Sequence, residues 1–450
     1  MNSQQKSRKR FFFLFILLII GLITSPFWMW WIKQDNMLDV AIVDKTINED
    51  SFREHNGLVW TLNHLKIVNK KEEAYQEDKH FYKNVPTSNK GKEPDILYVA
   101  DSYGVEVLNQ ENKPSVKGGL TPSEVENIRR TVMSGKTNLI AEFNTFASPT
   151  GKEAREGISE LLNVEWSGWI GRYFSDLNGK EVPSWVKRNY KDRYGEWTFK
   201  SGGMLFVHEK GEMVILENKD LKKKGAQFSF TKEGKKSYGL DASVPYHYWF
   251  DIIKPINSQE VMANYELKLT DTGKSKLLKH QIPLMFPAII QHQNAIYKTT
   301  YFAGDFADQA ELPELYQTWG ISFIKQKFAL DDGQGSTFYW KVYLPLMKSI
   351  LQNEQSIKKP DSTTQIQEKN GIKINAKASG DYLQVLEDGK WKNFLIKGVN
   401  MGIAKPGSFP GETAISKSEY FRWFKRIGEM NANAIRVYTI HPPGFYEAFL

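Results

Sequence analysis

The two runs Asn393-Phe-Leu-Ile-Lys-Gly-Val-Asn400 and Asn433-Ala-Ile-Arg-Val-Tyr-Thr-Ile-His-Pro-Pro443 decide the fold expected for the C-terminal part of the chain. Within them, Phe394–Val399 and Ala434–Thr439 are apolar or β-branched segments of the length of a strand. The first segment stops at an asparagine and the second at a histidine and two prolines, which are residues typical of strand ends and turns. The sequence therefore predicts a strand in each run.

A helix is predicted between these two strands and a second helix after them. Ser416-Lys-Ser-Glu419 has the spacing of a capping box, and Tyr420, Phe424 and Ile427 fall on one helical face behind it. The second helix, Gly444–Leu450, follows two prolines, which are tolerated where first-turn amides have no partner. Parallel strands need such crossovers, so we predict that the two strands are adjacent and parallel.

Polar side chains gather at the ends of both predicted strands. Asn400 follows the first strand, and Arg436, Tyr438 and His441 lie in or just after the second. In a (β/α)8 barrel the carboxyl ends of the strands carry the active site. We therefore predict that these four residues bind substrate or support an active site.

This stretch resembles the start of the catalytic barrel of retaining glycoside hydrolases of family 2, and is also similar to family 72 β-1,3-glucanosyltransferases. The resemblance rests on Lys397-Gly-Val-Asn400 and on Asn433-Ala-Ile-Arg-Val-Tyr438 with the histidine and proline that follow. It implies that Arg436 orients a nucleophilic carboxylate and that Asn400 sits on the barrel floor. The alternative is a surface or ion-paired Arg436 and an Asn400 that only shapes a turn.

The resemblance also implies that the catalytic carboxyl groups lie elsewhere. A barrel of this type needs about 250 residues, and the sequence reaches only the second helix at Leu450. Retaining chemistry uses two carboxyl groups about 5 Å apart, which we expect from later strands. We expect either the front part of a longer protein or an interrupted gene, and the reading frame downstream of codon 450 would separate an enzyme from an accessory module.

Composition excludes several classes of protein. The 450 residues have room for two or three domains, and the net charge of +8 comes from dispersed lysines, so no nucleic-acid partner is expected. The absence of cysteine excludes disulfides, thiolate metal sites and a cysteine nucleophile. The eight histidines are dispersed, so we predict no metal and no cofactor.

The N-terminus has the pattern of an uncleaved membrane anchor. Residues 1–10 are a basic tail, and Phe11–Trp31 is an uncharged run long enough to span a bilayer. Trp28, Trp30 and Trp31 form an aromatic belt at its far end. We predict a single-pass span over 11–32 with a cytoplasmic N-terminus and the rest extracytoplasmic. The alternative, a cleaved signal peptide, would have a small-residue cleavage site.

Residues 37–352 are predicted to form an α/β domain. Leu38–Asp44, Asp95–Asp101 and Asn138–Phe143 have the composition of buried strands and alternate with helical patterns, among them Gly57–Val68 and Lys152–Leu162. A third helix opens at the capping box Thr121-Pro-Ser-Glu124, and a last one is predicted at Trp340–Leu351. This alternation predicts an open parallel sheet covered on both faces.

The α/β domain resembles the class I glutamine-amidotransferase-like fold, in the inactive form that serves β-galactosidases as a trimerisation domain. Val261-Met-Ala-Asn-Tyr-Glu266 and Thr300-Tyr-Phe-Ala-Gly-Asp-Phe-Ala-Asp308 carry the resemblance. It implies a possible homo-oligomer through this domain and no amidotransferase activity, because the family's cysteine has no counterpart. Ser102 follows the second strand, but no Gly-x-Ser-x-Gly elbow surrounds it, which favours a simple loop serine.

Three further features complete the expected organisation. Residues 165–250 are predicted to be an insertion with some β structure. Its aromatic residues form either a sugar-stacking surface or a packed layer, and the second is favoured: Trp166, Trp169, Tyr173, Trp185, Tyr190 and Trp197. Residues 353–370 are a predicted linker, and 372–450 begin with strands around a Glu387–Lys390 turn.

Two functions remain open from the sequence. The first is a membrane-anchored glycoside hydrolase or transglycosidase that acts outside the membrane on a polysaccharide or oligosaccharide. The second is a non-catalytic accessory protein whose α/β domain binds glycan or a partner. Glu142, Asp305 and Asp308 lie at strand ends, where they could bind a ligand or serve only as capping groups, which is the favoured interpretation.

Overall fold

A computed structural model describes residues 3–46, 52–87, 93–108, 114–294, 296–309, 312–313, 318–328, 336–356, 367–369, 372–374, 376–380, 382–387, 390–412 and 414–449. The chain divides into two compact units, Met1–Gln355 (unit 1) and Ser356–Leu450 (unit 2). Each unit has its own hydrophobic core.

Unit 1 alternates helices and strands along most of its length. Its helices are α1 (Ser3–Trp31), α2 (Arg53–His64), α3 (Pro122–Met133), α4 (Lys152–Leu162), α5 (Ser184–Tyr194), α6 (Lys232–Tyr238), α7 (Asp271–Leu278), α8 (Ile321–Phe328), α9 (Ser336–Phe338) and α10 (Leu344–Ser356). Its strands are β1 (Asn36–Met37), β2 (Val40–Asp44), β3 (Ile67–Val68), β4 (Ile96–Asp101), β5 (Val105–Leu108), β6 (Pro114–Lys117), β7 (Asn138–Ala141), β8 (Val164–Phe174), β9 (Gly203–His208), β10 (Met213–Glu217), β11 (Ala226–Phe230), β12 (Ser243–Tyr246), β13 (Phe250–Pro255), β14 (Val261–Glu266), β15 (Met285–Gln293) and β16 (Lys298–Phe302).

The central sheet of unit 1 is mixed, which corrects the expected open parallel sheet. Its eight strands lie in the order β12-β11-β14-β15-β16-β7-β4-β2. The strands β16, β7, β4 and β2 are parallel, whereas β12, β11, β14, β15 and β16 pair antiparallel. The short connection from Gln293 to Lys298 is the physical reason for the antiparallel pairing of β15 with β16, because a hairpin can join only antiparallel neighbours.

The aromatic-rich stretch contributes to two sheets. The strands β10-β9-β8-β13 form a separate antiparallel sheet, which confirms β structure in this region. However, β11 and β12 lie inside the expected insertion 165–250 and extend the central sheet. The insertion is therefore shorter than the sequence pattern suggested, because the chain returns to the main sheet at Ala226.

Local sequence rules account for α3 and for the apolar face of α2. The capping box of α3 is present, with the Thr121 side chain accepting from the Glu124 amide and the Glu124 carboxylate accepting in return. Leu58, Leu62 and Leu65 are buried as the periodicity predicts, although α2 ends at His64 and the short strand β3 follows after a turn.

The apolar N-terminal run is helical and its C-terminal end is built into unit 1. Within Arg10–Trp31, an 18-residue stretch has a mean hydropathy of 2.4, and the helix is long enough to cross a membrane, as either an anchor or a signal sequence would be. The indole Nε1 of Trp30 donates to the His64 carbonyl at 2.9 Å, and Lys33 Nζ donates to the Leu65 carbonyl at 2.9 Å. The C-terminal end of α1 therefore contacts the end of α2 and the residue that follows it.

The C-terminal end of unit 1 is more helical than expected. A π-helical turn, Tyr339–Tyr343, leads into α10, which runs to Ser356. The predicted linker therefore begins too early, because 353–356 complete this helix and keep Glu354 buried. Its other end is also structured, at β17 (Gln367–Lys369), whereas 357–366 lie outside the described residues.

Unit 2 consists of small strand pairs and a β/α segment. Its remaining elements are β18 (Ile372–Ile374), β19 (Ala376–Ser379), β20 (Tyr382–Glu387), β21 (Lys390–Asn393), β22 (Gly398–Met401), α11 (Lys417–Glu429), β23 (Ala434–Val437) and α12 (Pro443–Phe449). β20 and β21 pair with Glu387 opposite Lys390, which confirms the hairpin, although 388–389 lie outside the described residues.

The β22–β23 pair confirms the predicted parallel neighbours and shifts their bounds. Gly398 pairs with Ala434 and Met401 with Val437, and α11 begins at the predicted capping box of Ser416 and Glu419. The first strand begins at Gly398 instead of Phe394, because the pairing partner starts only at Ala434. Ahead of it, Leu395 and Ile396 are exposed and contribute little to burial.

Candidate functional site

The β22–β23 pair places Asn400 directly opposite Arg436 in the parallel register. Asn400 therefore lies inside its strand, where the sequence predicted a position just after it. Met401, Ile435 and Val437 pack into the unit 2 core. Because side chains alternate along a strand, Asn400 and Arg436 face away from that core, and both are exposed.

Tyr438 lies beside Arg436, whereas His441 belongs to the core. The Arg436 guanidinium lies 5.2 Å from the ring centroid of Tyr438, a cation–π contact on an exposed surface. His441 is 3 % exposed, with its ring centroid 4.2 Å from that of Phe445. Burial lowers the pKa of His441, and neither ring nitrogen has a hydrogen-bond partner among the described residues. The structure thus brings together Asn400, Arg436 and Tyr438, and places His441 behind them.

A second candidate site lies in unit 1, at the carboxyl ends of its parallel strands. We call it the carboxylate cluster, and its members end β2 and β4, follow β7 and β16, or lie in the first turn of α2: Asp44, Glu54, Asp101, Glu142, Asp305 and Asp308. In α/β sheets, ligands bind in the crevice outside these strand ends. Of the predicted residues, Glu142, Asp305 and Asp308 belong to this cluster.

Glu142 uses its carboxyl group to hold a loop. Its Oε2 accepts from the backbone amides of Phe306 and Ala307 at 3.2 and 3.1 Å, and the Tyr98 hydroxyl donates to Oε1. Burial raises the pKa of Glu142 to about 8 in spite of these donors. The hydrogen bonds of this carboxyl group therefore hold the segment after β16 against the end of β7.

Asp44 is also satisfied by groups of the protein. Its Oδ1 accepts from the Thr46 amide and hydroxyl, and its Oδ2 lies 2.7 Å from His55 Nδ1. Both side chains of the Asp44–His55 pair are fully buried. The other nitrogen of His55 lies 3.0 Å from the Glu77 carbonyl. The pair ties α2 to the end of β2.

Asp308 marks the more exposed side of the cluster. It forms an ion pair with Arg53, whose NH2 group also donates to the Tyr248 hydroxyl at 2.8 Å. Arg172 lies over the same tyrosine, with its guanidinium 4.3 Å from the ring centroid. Burial raises the pKa of Asp308, and Arg53 opposes that rise. Two arginines and an aromatic ring therefore border the buried carboxyl groups.

Two carboxyl oxygens of the cluster have no hydrogen-bond partner among the described residues: Asp305 Oδ1 and Glu54 Oε2. Burial raises the pKa of Asp305, with further contributions from Asp308, Asp101 and Glu142. Burial also raises the pKa of Glu54 to about 7. Within the described part of the chain, no three acidic or histidine side chains are arranged to hold a metal ion.

The other residues singled out in the sequence, Ser102 and most of the aromatic residues between 165 and 250, are engaged in packing and hydrogen bonds within the fold. The Ser102 side chain is fully buried and donates to the Asn144 carbonyl at 3.3 Å, which agrees with a loop serine. Of the six aromatic residues singled out between 165 and 250, only Trp185 is exposed. Tyr190 and Trp197 pack edge to face at 5.1 Å, which agrees with the packed layer.

Sequence reasoning missed half of the cluster: Asp44, Glu54 and Asp101. A signal was present, because two of the predicted strands end in an aspartate, and their carboxyl ends meet at one edge of a parallel sheet. No comparable signal marked Arg53, Arg172 or Tyr248, which reach the cluster through the tertiary fold.

Comparisons with known proteins give distant structural likenesses only. No protein-family model and no curated protein matches the chain. Among solved structures, the chain is similar to a β-galactosidase from Bacillus circulans sp. alkalophilus, with 10 % identity over 77 % of this chain and 35 % of that chain and a TM-score of 0.30.

Two further solved structures show the same level of likeness. One is a β-galactosidase from Rahnella sp. R3, with 10 % identity, 78 % and 36 % coverage and a TM-score of 0.29. The other is the carbohydrate deacetylase Agd3, with 8 % identity, 60 % and 30 % coverage and a TM-score of 0.29. The chain spans about a third of the length of the solved structures that it matches.

Proposed function

We propose that this chain is a membrane-anchored, extracytoplasmic part of a glycoside hydrolase or transglycosidase that acts on a polysaccharide or oligosaccharide. In this proposal β22, α11, β23 and α12 are the first two β/α pairs of the catalytic barrel. The carboxylate pair of the reaction would come from later strands of the same barrel.

The paired positions of Asn400 and Arg436 carry this proposal. In a (β/α)8 barrel one side of each strand packs on the outer helices and the other side lines the barrel interior. Met401 and Val437 are on the helix-packed side of β22 and β23. Asn400 and Arg436 are on the opposite side, which would be the interior of such a barrel.

Arg436 has the chemistry to orient a carboxylate nucleophile. A guanidinium can donate two parallel hydrogen bonds to one carboxylate and so fix its direction. The Tyr438 ring beside it restricts the guanidinium without consuming its donors. Arg436 would fix the direction of the nucleophile and place a positive charge beside it. Both effects would lower the energy mainly of the transition state.

The test of this role is Arg436→Ala in the complete gene product. We expect turnover, measured as reducing-sugar release, to fall by roughly a hundredfold or more, while the thermal midpoint changes little because Arg436 is exposed. The matched control is Arg426→Ala, an exposed arginine on α11, which should leave both quantities unchanged. Full activity of Arg436→Ala would remove this residue from the site.

The membrane part of the proposal rests on α1. A basic tail followed by a long apolar helix favours a cytoplasmic N-terminus, so units 1 and 2 would lie outside. Protease added to intact cells should digest the chain beyond residue 40 and spare an N-terminal tag. Release of a shortened protein into the medium would show a cleaved signal sequence instead.

A non-catalytic glycan-binding role is the second candidate, and the carboxylate cluster favours it. Asp305 Oδ1 and Glu54 Oε2 are unsatisfied acceptors next to Arg53 and Tyr248, a combination that can bind sugar hydroxyl or amino groups. Titration with glucosamine oligomers should show binding that Asp305→Asn weakens, with N-acetylglucosamine oligomers as the comparison. An absence of binding to both would argue against this role.

A further inference from the structure

We propose that Trp319 and α8 form an in-plane contact between unit 1 and the outer surface of an anionic phospholipid bilayer. This surface, which we call the α8 face, consists of Trp319, Phe323, Ile324 and Phe328. The inference deepens the proposed function, because it rests on α1 being a membrane anchor. It adds that unit 1 contacts the membrane surface directly, in contrast to a domain that is only tethered to the membrane by a flexible linker.

The position of the α8 face follows from a backbone contact with α1. The Trp319 amide donates to the Pro26 carbonyl at 3.0 Å. Pro26 lies five residues before Trp31, the last residue of α1. At a rise of 1.5 Å per residue, the two residues are about 8 Å apart along the helix axis. Trp319 therefore meets α1 at the level of its aromatic outer end, where tryptophans favour the membrane interface.

The exposure of the α8 face is unusual for a water-soluble surface. Trp319, Phe323, Ile324 and Phe328 are 57, 63, 54 and 69 % exposed, respectively. They fall within ten residues of sequence. They lie next to α1, in which no residue from Arg10 to Met29 is buried. Contiguous apolar exposure of this kind marks an interaction surface, and its continuity with α1 identifies lipid as the occupant.

Basic side chains lie near the α8 face. Lys325 and Lys327 are on α8 itself, and Lys33 and Lys348 line the same groove as Trp319 and Phe323. Burial lowers the pKa of Lys33 at the end of α1, and the nearby ammonium groups of Lys348 and Lys66 lower it further. Amphipathic helices with lysines on the polar side bind the interface of anionic membranes. The positive charge therefore favours phospholipids such as phosphatidylglycerol over uncharged ones.

A groove of about 700 Å³ lies between the outer end of α1, α8 and α10. Its walls include Trp30, Trp319 and Phe323 on the apolar side, and Lys33 and Lys348 on the polar side. This arrangement suits a phospholipid, whose acyl chain and phosphate need apolar and basic surroundings respectively. The groove thus continues the α8 face away from the bilayer, toward the body of unit 1.

The absence of native cysteine allows a direct test. Phe323→Cys and Phe328→Cys each provide a single labelling site for an environment-sensitive fluorophore on the full chain. The labelled protein is reconstituted into vesicles of phosphatidylethanolamine and phosphatidylglycerol that contain a nitroxide lipid. We expect blue-shifted emission at both positions, quenched more by a nitroxide near the headgroup than by one at the end of the acyl chain.

Two control positions provide reference signals for water and for the centre of the bilayer. Leu278→Cys, at the exposed end of α7, should report water and no lipid quenching. Ile19→Cys, in the middle of α1, should be quenched best by the deep nitroxide. Replacing phosphatidylglycerol by phosphatidylcholine should reduce quenching at Phe323→Cys and leave it unchanged at Ile19→Cys.

Three results would overturn the proposal. A membrane signal at Ile19→Cys with a water signal at both α8 positions would leave the anchor intact and refute the α8 contact. Blue-shifted α8 probes without lipid quenching would mean that protein, such as a second copy of the chain, covers this face. A water signal at Ile19→Cys would refute the anchor and the α8 contact together.

Discussion

At the scale of single residues, the carboxylate cluster shows how unit 1 accommodates buried charge. A buried ionised group is stable only with a partner or enough hydrogen bonds, and otherwise it takes up a proton. Asp44 has a histidine and Asp308 an arginine, whereas Glu142 has hydrogen-bond donors and a raised pKa. Within the cluster, the oxygens without a hydrogen-bond partner among the described residues are Asp305 Oδ1 and Glu54 Oε2.

The Asp44–His55 pair yields a prediction at this scale. His55→Ala leaves the Asp44 carboxyl group buried without its ring partner, so we expect a loss of roughly 3 kcal/mol in the free energy of unfolding. Urea denaturation of the full chain measures this loss. His280→Ala, which removes a half-exposed histidine 3.6 Å from Glu212, is the control and should cost less than about 1 kcal/mol. Equal effects of the two substitutions would contradict the structural role of the buried pair.

At the scale of elements, α2 connects the cluster to the rest of unit 1. Its Gly57 amide donates to the Ala307 carbonyl at 2.9 Å, and its Gly57 carbonyl accepts from the Tyr339 hydroxyl at 2.9 Å. A Cβ at this position would lie 2.6 Å from the Ala307 oxygen. The glycine therefore allows α2 to approach the segment that carries Asp305 and Asp308.

This close approach predicts that Gly57→Ala destabilises unit 1 by roughly 1–3 kcal/mol. Helix propensity alone would give the opposite sign, because alanine is favoured over glycine by about 1 kcal/mol. The control is Gly428→Ala on α11, where an added Cβ meets no atom within 4 Å and should stabilise unit 2. Thermal unfolding of both variants tests the contrast, and a stabilised Gly57→Ala protein would show that the approach is not as close as described.

At the scale of the whole molecule, the buried carboxyl groups of unit 1 predict how stability depends on pH. Burial raises the pKa of Glu142 to about 8 and that of Asp251 to about 7. Both values lie above the 4.5 and 3.8 of the free groups, so the folded state binds these protons more tightly than the unfolded chain. The stability from this preference is fully present below the unfolded values and is lost as pH rises through the folded ones.

We therefore expect the free energy of unfolding to fall by roughly 6 kcal/mol between about pH 5 and about pH 8. Glu142→Gln should flatten this slope, because the amide mimics the protonated acid and still accepts from Phe306 and Ala307. Glu153→Gln, at an exposed position of α4, should leave the slope unchanged. Denaturation curves at several pH values measure it, and an unchanged slope in Glu142→Gln would assign the pH dependence to other groups.

The amino-acid sequence by itself determined the features that depend on neighbours in the chain. The capping boxes at Thr121 and Ser416, the apolar run of α1 and the parallel order of β22 and β23 follow from local spacing and chemistry. These features are predictable because a cap, an apolar helix or a short crossover involves contacts between residues close in sequence.

Only the tertiary structure decided which distant residues meet. The antiparallel half of the central sheet, the approach of Arg53 to Asp308 and the contact of Trp319 with Pro26 join segments that are far apart in the chain. The burial of His441 was equally hidden, because the sequence shows a polar residue after a strand but not the aromatic rings that cover it. Such contacts depend on how complete faces pack together, and a local sequence pattern describes only one side of each contact.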